Sequence, residues 1–153
     1  MKIGIADTMF ARVDMHQYVM QAIRESREKV ETERYTVPGV KDLPVACKIL
    51  FEKYHCGIVI ALGMPGPMPI DKQCAHEASL GMQFVQLMAN KHILEVFVHL
   101  DEGDEEEVLE IAKNRSYDHA KNAIALLKGK ETLTPFAGKG IRQGKGNAGP
   151  MVG

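Results

Sequence analysis

The chain has 153 residues, 45% of them hydrophobic and 25% charged, and a formal net charge of -1. That length suits one globular domain burying about two-thirds of its unfolded surface. The near-neutral charge carries no electrostatic footprint for nucleic acid or an anionic membrane, so small molecules and other protein chains remain as partners.

Lys2–Ala6 is a brief apolar run ending at Asp7-Thr8, as a short buried strand would. It is too short, and too soon interrupted by charge, for a signal peptide, and no apolar run approaches the roughly 20 residues of a membrane span. The three cysteines, Cys47, Cys56 and Cys74, are odd in number and show no metal-like spacing. A soluble, unprocessed, cytoplasmic protein is expected. From Val13 the spacing turns helical, with Val13, Met15, Tyr18, Val19, Ala22 and Ile23 among polar residues as far as about Lys29. Thr32–Val37 alternates and reads as a second strand, which Pro38-Gly39 ends.

Leu43, Ala46, Cys47, Ile49 and Leu50 predict a second helix, with Asp42 placed to cap it and Pro44 tolerated in its first turn. Gly57–Leu62 is apolar without alternation, so it is a strand buried on both faces. The stiff loop Gly63-Met64-Pro65-Gly66-Pro67-Met68-Pro69 follows, then a long helix from about Asp71 to Met88, ended by Asn90. His92–Val98 predicts a fourth strand. The acidic run Asp101–Glu107 opens a fourth helix reaching about Lys128 and complements its dipole. Thr132–Gly153, rich in Gly, Lys and Arg, lacks an apolar period and is expected to be extended, ordered only against a partner or not at all.

Four strands alternating with four helices predict an α/β doubly wound sheet of three layers. The four strands are mainly parallel, in the flavodoxin-like order 2-1-3-4, with helices on both faces. Residues 1–131 form the single domain and 132–153 a C-terminal extension. In such sheets ligands collect beyond the carboxyl ends of the strands, where the order reverses. Those ends carry Asp7–Arg12, Pro38–Asp42, Gly63–Pro69 and His99–Asp101. A sheet this small leaves an edge exposed, so a homo-oligomer that covers it is expected.

Individual residues at this edge admit competing readings. Phe10 can stack on a flat ring or merely pack the first helix. Gly63-Met64-Pro65-Gly66 lacks the P-loop spacing, and its prolines remove the N–H donors that a phosphate cradle needs. His76 and Glu77 are adjacent on a helix and so point about 100° apart. His99 can move protons or cap a ligand from beyond the fourth strand. Arg115 and His119 share one helical face and can meet a ligand, a neighbouring chain or solvent. A phospho-receiver needs an Asp ending the third strand, and Ala61-Leu62-Gly63 excludes it.

The ordered set of Phe10, Val37-Pro38-Gly39-x-x-Asp42-Leu43-Pro44, Gly57-Ile58-Val59-Ile60-x-x-Gly63 and Glu77-Ala78-x-x-Gly81 resembles the lumazine synthase superfamily. Ala61–Gly66, Cys74–Gly81, Asn90–Ile93 and Ala137–Gly140 resemble, more narrowly, the archaeal-type riboflavin synthases. That resemblance runs from about Lys2 to Pro150. It implies dismutation of two 6,7-dimethyl-8-ribityllumazine molecules into riboflavin and 5-amino-6-ribitylamino-pyrimidinedione. It further implies a homopentamer with active sites between chains, no organic cofactor, and stimulation by Mg2+ or Mn2+ with no metal-ligating residue assigned.

Carried over by position, Phe10 would stack on the heterocycle, Gly39, Val40 and Lys41 would border it, and Asp42 would accept hydrogen bonds from ribityl hydroxyls. Gly63 and Met64 would form the opposite wall, with His99 arriving from a neighbouring chain. Ala11, Glu77, Arg115 and His119 complete the expected binding set, and Lys41, His76 and His99 are the expected catalytic groups. Lumazine synthase is the alternative. Its loop after the third strand carries Gly-Ala-Thr followed by His, and here Gly63-Met64-Pro65-Gly66 stands with no His before His76. A flavin- or pteridine-storage oligomer is the non-enzymatic alternative.

Overall fold

The computed structural model describes residues 1–151, so the last two residues of the expected C-terminal extension lie outside the described residues. In chain order the elements are β1 (Lys2–Thr8), α1 (His16–Ser26), β2 (Glu31–Val37), α2 (Leu43–Glu52), β3 (Ile58–Gly63), α3 (Pro69–Ala89), β4 (Ile93–Phe97) and α4 (Glu105–Lys128). Short 3-10 turns occupy Val40–Asp42 and Thr134–Phe136. The four strands are parallel throughout, in the order β2-β1-β3-β4, as the alternation of strands and helices predicts.

Strand periodicity divides the core in two. Ile3 and Ile5 point to one face, where with Ile58, Ile60 and Leu62 they meet α1 and α4. Ala6, Val59 and Ala61 point to the other and meet α2 and α3 through Leu43, Leu50, Ala78 and Met82. β3 is buried along its whole length, which is why it lacks alternation. Each fully buried Ile or Leu contributes about 1.5–3 kcal/mol. α3 presses closely on α2: a Cβ on Gly81 would stand 2.8 Å from Pro44 Cγ.

Several element ends differ from the sequence-based expectations. α1 stops at Ser26, three residues early, because Arg27 turns into the left-handed region at φ 61° and returns its N–H to the Arg24 carbonyl. Asp42 stands at the N-cap of α2 but is itself in a helical conformation and makes no side-chain cap bond. The acidic run does not all enter α4. Asp104 and Glu107 close a capping box, and Asp101–Gly103 stay outside as a turn.

The C-terminal segment departs furthest from expectation. It lies back along α4, where Gly144 N–H donates to Asn114 Oδ1 at 2.7 Å and the Gln143 carbonyl accepts from Arg115 Nε at 3.2 Å. Its order comes from contacts far apart in sequence, which composition does not report.

Candidate functional site

The order reverses between β1 and β3, and the loops leaving the strands meet at that edge. Met9 N–H donates to the Val37 carbonyl at 2.9 Å and Phe10 N–H to the Pro38 carbonyl at 3.2 Å, so the loops after β1 and β2 are fastened together. Val98 N–H reaches the Gly63 carbonyl at 2.9 Å and Leu100 N–H the Pro65 carbonyl at 3.0 Å, which does the same for β3 and β4. The backbones of the four loops are thus held in pairs at this edge.

Among the described residues Phe10 is left 58% exposed, a large cost for an aromatic ring. It stands beside Pro38-Gly39, with Ala11 half-buried next to it. Gly39 has an extended backbone, and a Cβ there would meet nothing within 4 Å. Intrachain packing therefore does not require glycine at this position, and open space lies in front of it. Gly63 is the opposite case: a Cβ would stand 2.8 Å from Phe97 Cε1 and 3.0 Å from Val40 Cγ1. Val40 thus reaches over the end of β3 because residue 63 has no side chain.

Lys41 leaves the same turn, and its Nζ lies 2.9 Å from Glu77 Oε2 on α3. The Glu77 carboxylate raises the Lys41 ammonium above its ordinary range, and Lys41, with Gln73, holds Glu77 below its own. This is a standing cation beside a standing anion. Asp42 is exposed, and its carboxylate has no hydrogen-bonded or ionic partner among the described residues. His76 is exposed on α3, one position before Glu77.

A second group gathers around the end of β4. Arg115 and Glu102 form a bidentate pair at 2.9 and 3.1 Å with side chains only 14% and 17% exposed. Glu102 Oε2 also accepts the His99 N–H at 2.8 Å. Burial alone would push the Glu102 carboxyl up, but the bonds from Arg115 and His99 outweigh it and hold it below the ordinary range. Arg115 Nη1 donates in addition to the Phe97 carbonyl at 2.9 Å. Four of its five N–H donors are thus spent on the protein. One N–H of Arg115 is left for any ligand. His119, one turn on, is half-buried, and burial followed by the Arg115 charge lowers its imidazole below the usual range.

One expected position changes character. Met64 is 1% exposed and packs into the α1/α4 core, so what it offers the edge is backbone. A cavity of about 660 Å3 lies between α4 and the C-terminal segment, and neither Phe10 nor Lys41 lines it. Smaller cavities of about 300 and 350 Å3 flank Arg12 and Val13 at the strand ends.

Sequence reasoning did not single out Glu102 or the cluster in which Asp7 accepts from Arg34 at 2.6 Å and from Thr36 at 2.6 Å. The second needs the parallel register that sets Asp7 opposite Thr36. Among the described residues, no three His, Cys, Asp or Glu side chains converge as metal ligands. No helix there is long and apolar enough to cross a membrane.

The sequence profile of the family described as 6,7-dimethyl-8-ribityllumazine synthase matches residues 1–131. Over 151 residues the chain is 52% identical to a riboflavin synthase of Methanothermobacter thermautotrophicus, covering 98% of this chain and 99% of that protein. It is 44% identical to a riboflavin synthase of Archaeoglobus fulgidus over 153 residues, 99% of each chain. A riboflavin synthase of Aeropyrum pernix is 41% identical over 151 residues, 97% of each.

Proposed function

The chain belongs to the 6,7-dimethyl-8-ribityllumazine synthase family, and from that premise we propose that it is a riboflavin synthase of the archaeal type. The single observation that carries the choice within the family is end-to-end similarity to riboflavin synthases from three archaeal genera. The Gly63-Met64-Pro65-Gly66 loop agrees, since it lacks the Thr and His that a phosphorylated second substrate would require.

The reaction takes two molecules of 6,7-dimethyl-8-ribityllumazine. One gives a four-carbon unit to the other, yielding riboflavin and 5-amino-6-ribitylamino-pyrimidinedione. Both substrates are the same compound and the electrons balance, so the transfer needs no oxidant or reductant. Holding two rings face to face converts a bimolecular encounter into an intramolecular one, a gain that reaches roughly 7–11 kcal/mol in well-oriented systems.

In our reading Phe10 stacks on one heterocycle, with the open space before Gly39 admitting its edge. Asp42, unpaired among the described residues, accepts hydrogen bonds from the ribityl hydroxyls. A C7-methyl proton must leave the donor ring, and the resulting carbanion is delocalised into the heterocycle. Lys41 supplies a fixed positive charge for it, because Glu77 favours the ammonium form. The same pairing makes Lys41 a poor proton acceptor, which leaves His76, His99 or water to take the proton. Activity after EDTA treatment and Mg2+ or Mn2+ addition tests the stimulation that the resemblance implies.

The working form is a cytoplasmic homopentamer with sites between neighbouring chains, His99 reaching the neighbour's site. Support for association comes from α3. Its buried face is Ala75, Ala78, Met82 and Val85, yet Leu80, Phe84, Leu87 and Met88 form a second apolar stripe that is exposed. Among the described residues the outer edge of β4 is unpaired as well. Incubation with the lumazine alone tests the reading: riboflavin must form with no other substrate present. Product formed only when the pyrimidine and a ketone phosphate are supplied would make it a lumazine synthase, and binding without turnover a storage protein.

A further inference from the structure

The guanidinium of Arg115 joins three parts of the chain that sequence separates. It holds the last carbonyl of β4 at Phe97, the carboxylate of Glu102 in the following turn, and the Gln143 carbonyl of the C-terminal segment. Between the first two lies His99. Its N–H is bound to Glu102 Oε2, and its carbonyl accepts the Glu102 N–H at 3.0 Å, so the turn from 99 to 102 is closed from both sides. The His99 ring has no such anchor at Nδ1, which is buried without a partner among the described residues. Its placement therefore depends on the backbone.

The C-terminal segment is fitted to the same group. Gly144 lies over Arg115 in the left-handed region, at φ 85°, and a Cβ there would stand 2.5 Å from Arg115 Nε. Lys145 Nζ approaches Glu102 Oε1 at 3.8 Å from the same side. A residue whose donors are nearly all spent on backbone and one carboxylate is not recognising a ligand; it is fixing a geometry.

We propose that Arg115 is a positioning residue for the reaction: through Glu102 and the Phe97 carbonyl it sets the backbone that presents His99, and the C-terminal segment seated at Gly144 locks the guanidinium in place. This rests on the reading above that His99 serves the active site. It gives the C-terminal extension a part in turnover without contact with substrate.

The test uses the full-length protein and four variants: His99→Ala, Arg115→Lys, Gly144→Val, and the double Arg115→Lys/Gly144→Val. Misplacement by about 1 Å can cost roughly 100-fold in rate. Arg115→Lys and Gly144→Val should each lower kcat by about 10- to 100-fold with KM little changed, and amide hydrogen exchange at His99 should speed up while the β1 and β3 amides stay protected. The double variant should be no more than about twofold worse than Arg115→Lys alone, because both act through one group. If Gly144→Val does not fold, Gly144→Ala makes the same comparison with a smaller intrusion. An unchanged kcat and unchanged His99 exchange in a folded Gly144 variant would overturn the inference while leaving the riboflavin synthase reading intact. Full activity in His99→Ala would overturn the site reading, and this inference with it.

Discussion

Lys41 on the turn after β2 and Glu77 on α3 hold each other charged across 2.9 Å, at the edge where β1 and β3 diverge. If that cation stabilises the substrate carbanion, Lys41→Met should lower kcat by roughly 100-fold, the scale of losing one preorganised group at developing charge. The pH profile separates the partners. Glu77 raises the Lys41 value, so removing it lets Lys41 lose its proton at lower pH. In Glu77→Gln the alkaline limb of kcat should therefore move to lower pH. A limb that stays in place would show that Lys41 is not the titrating group.

Phe10 offers an uncovered ring beside Pro38-Gly39. Stacking of a flat heterocycle on an aromatic side chain contributes about 1–3 kcal/mol, so Phe10→Ala should weaken lumazine binding at least roughly fivefold. The intrinsic fluorescence of the lumazine reports the dissociation constant. A value within twofold of the parent protein would remove Phe10 from the site.

Asp42 is expected to matter to substrate and hardly at all to the fold, because its carboxylate neither caps α2 nor pairs with a neighbour. Asp42→Ala should reduce kcat/KM by about 10- to 100-fold, the scale of a lost charge-assisted hydrogen bond. Thermal unfolding should shift by no more than about 0.5 kcal/mol. Loss of stability with unaltered turnover would reverse the assignment.

The exposed stripe on α3 predicts the consequence of charging it. Phe84→Glu combined with Leu87→Glu should yield a smaller species than the parent protein in sedimentation, with activity lost alongside assembly if sites lie between chains. A pair of glutamates that leaves the sedimentation coefficient unchanged would place the interface elsewhere.

The sheet was legible because period is a local property: β3 without alternation, β2 alternating, and helical spacing between them all follow from which faces are buried. Element ends were less so. Nothing in Arg27 announces a left-handed turn, and Asp42 reads as a cap although its backbone is helical. Glu102 was hidden inside an apparent acidic helix start. The Asp104-x-x-Glu107 capping box was the available signal, since a helix beginning at Glu105 leaves Glu102 outside it and free to pair with Arg115. The order of the C-terminal segment depends on Arg115, 28 residues before Gln143, and no local pattern encodes that contact.

The most direct measurement gives the purified protein 6,7-dimethyl-8-ribityllumazine as its sole substrate and follows both products by chromatography. Riboflavin and the ribitylamino-pyrimidinedione should appear in equal amounts, with two lumazines consumed for each riboflavin. Absence of riboflavin under these conditions, with lumazine bound or released unchanged, would contradict the assignment.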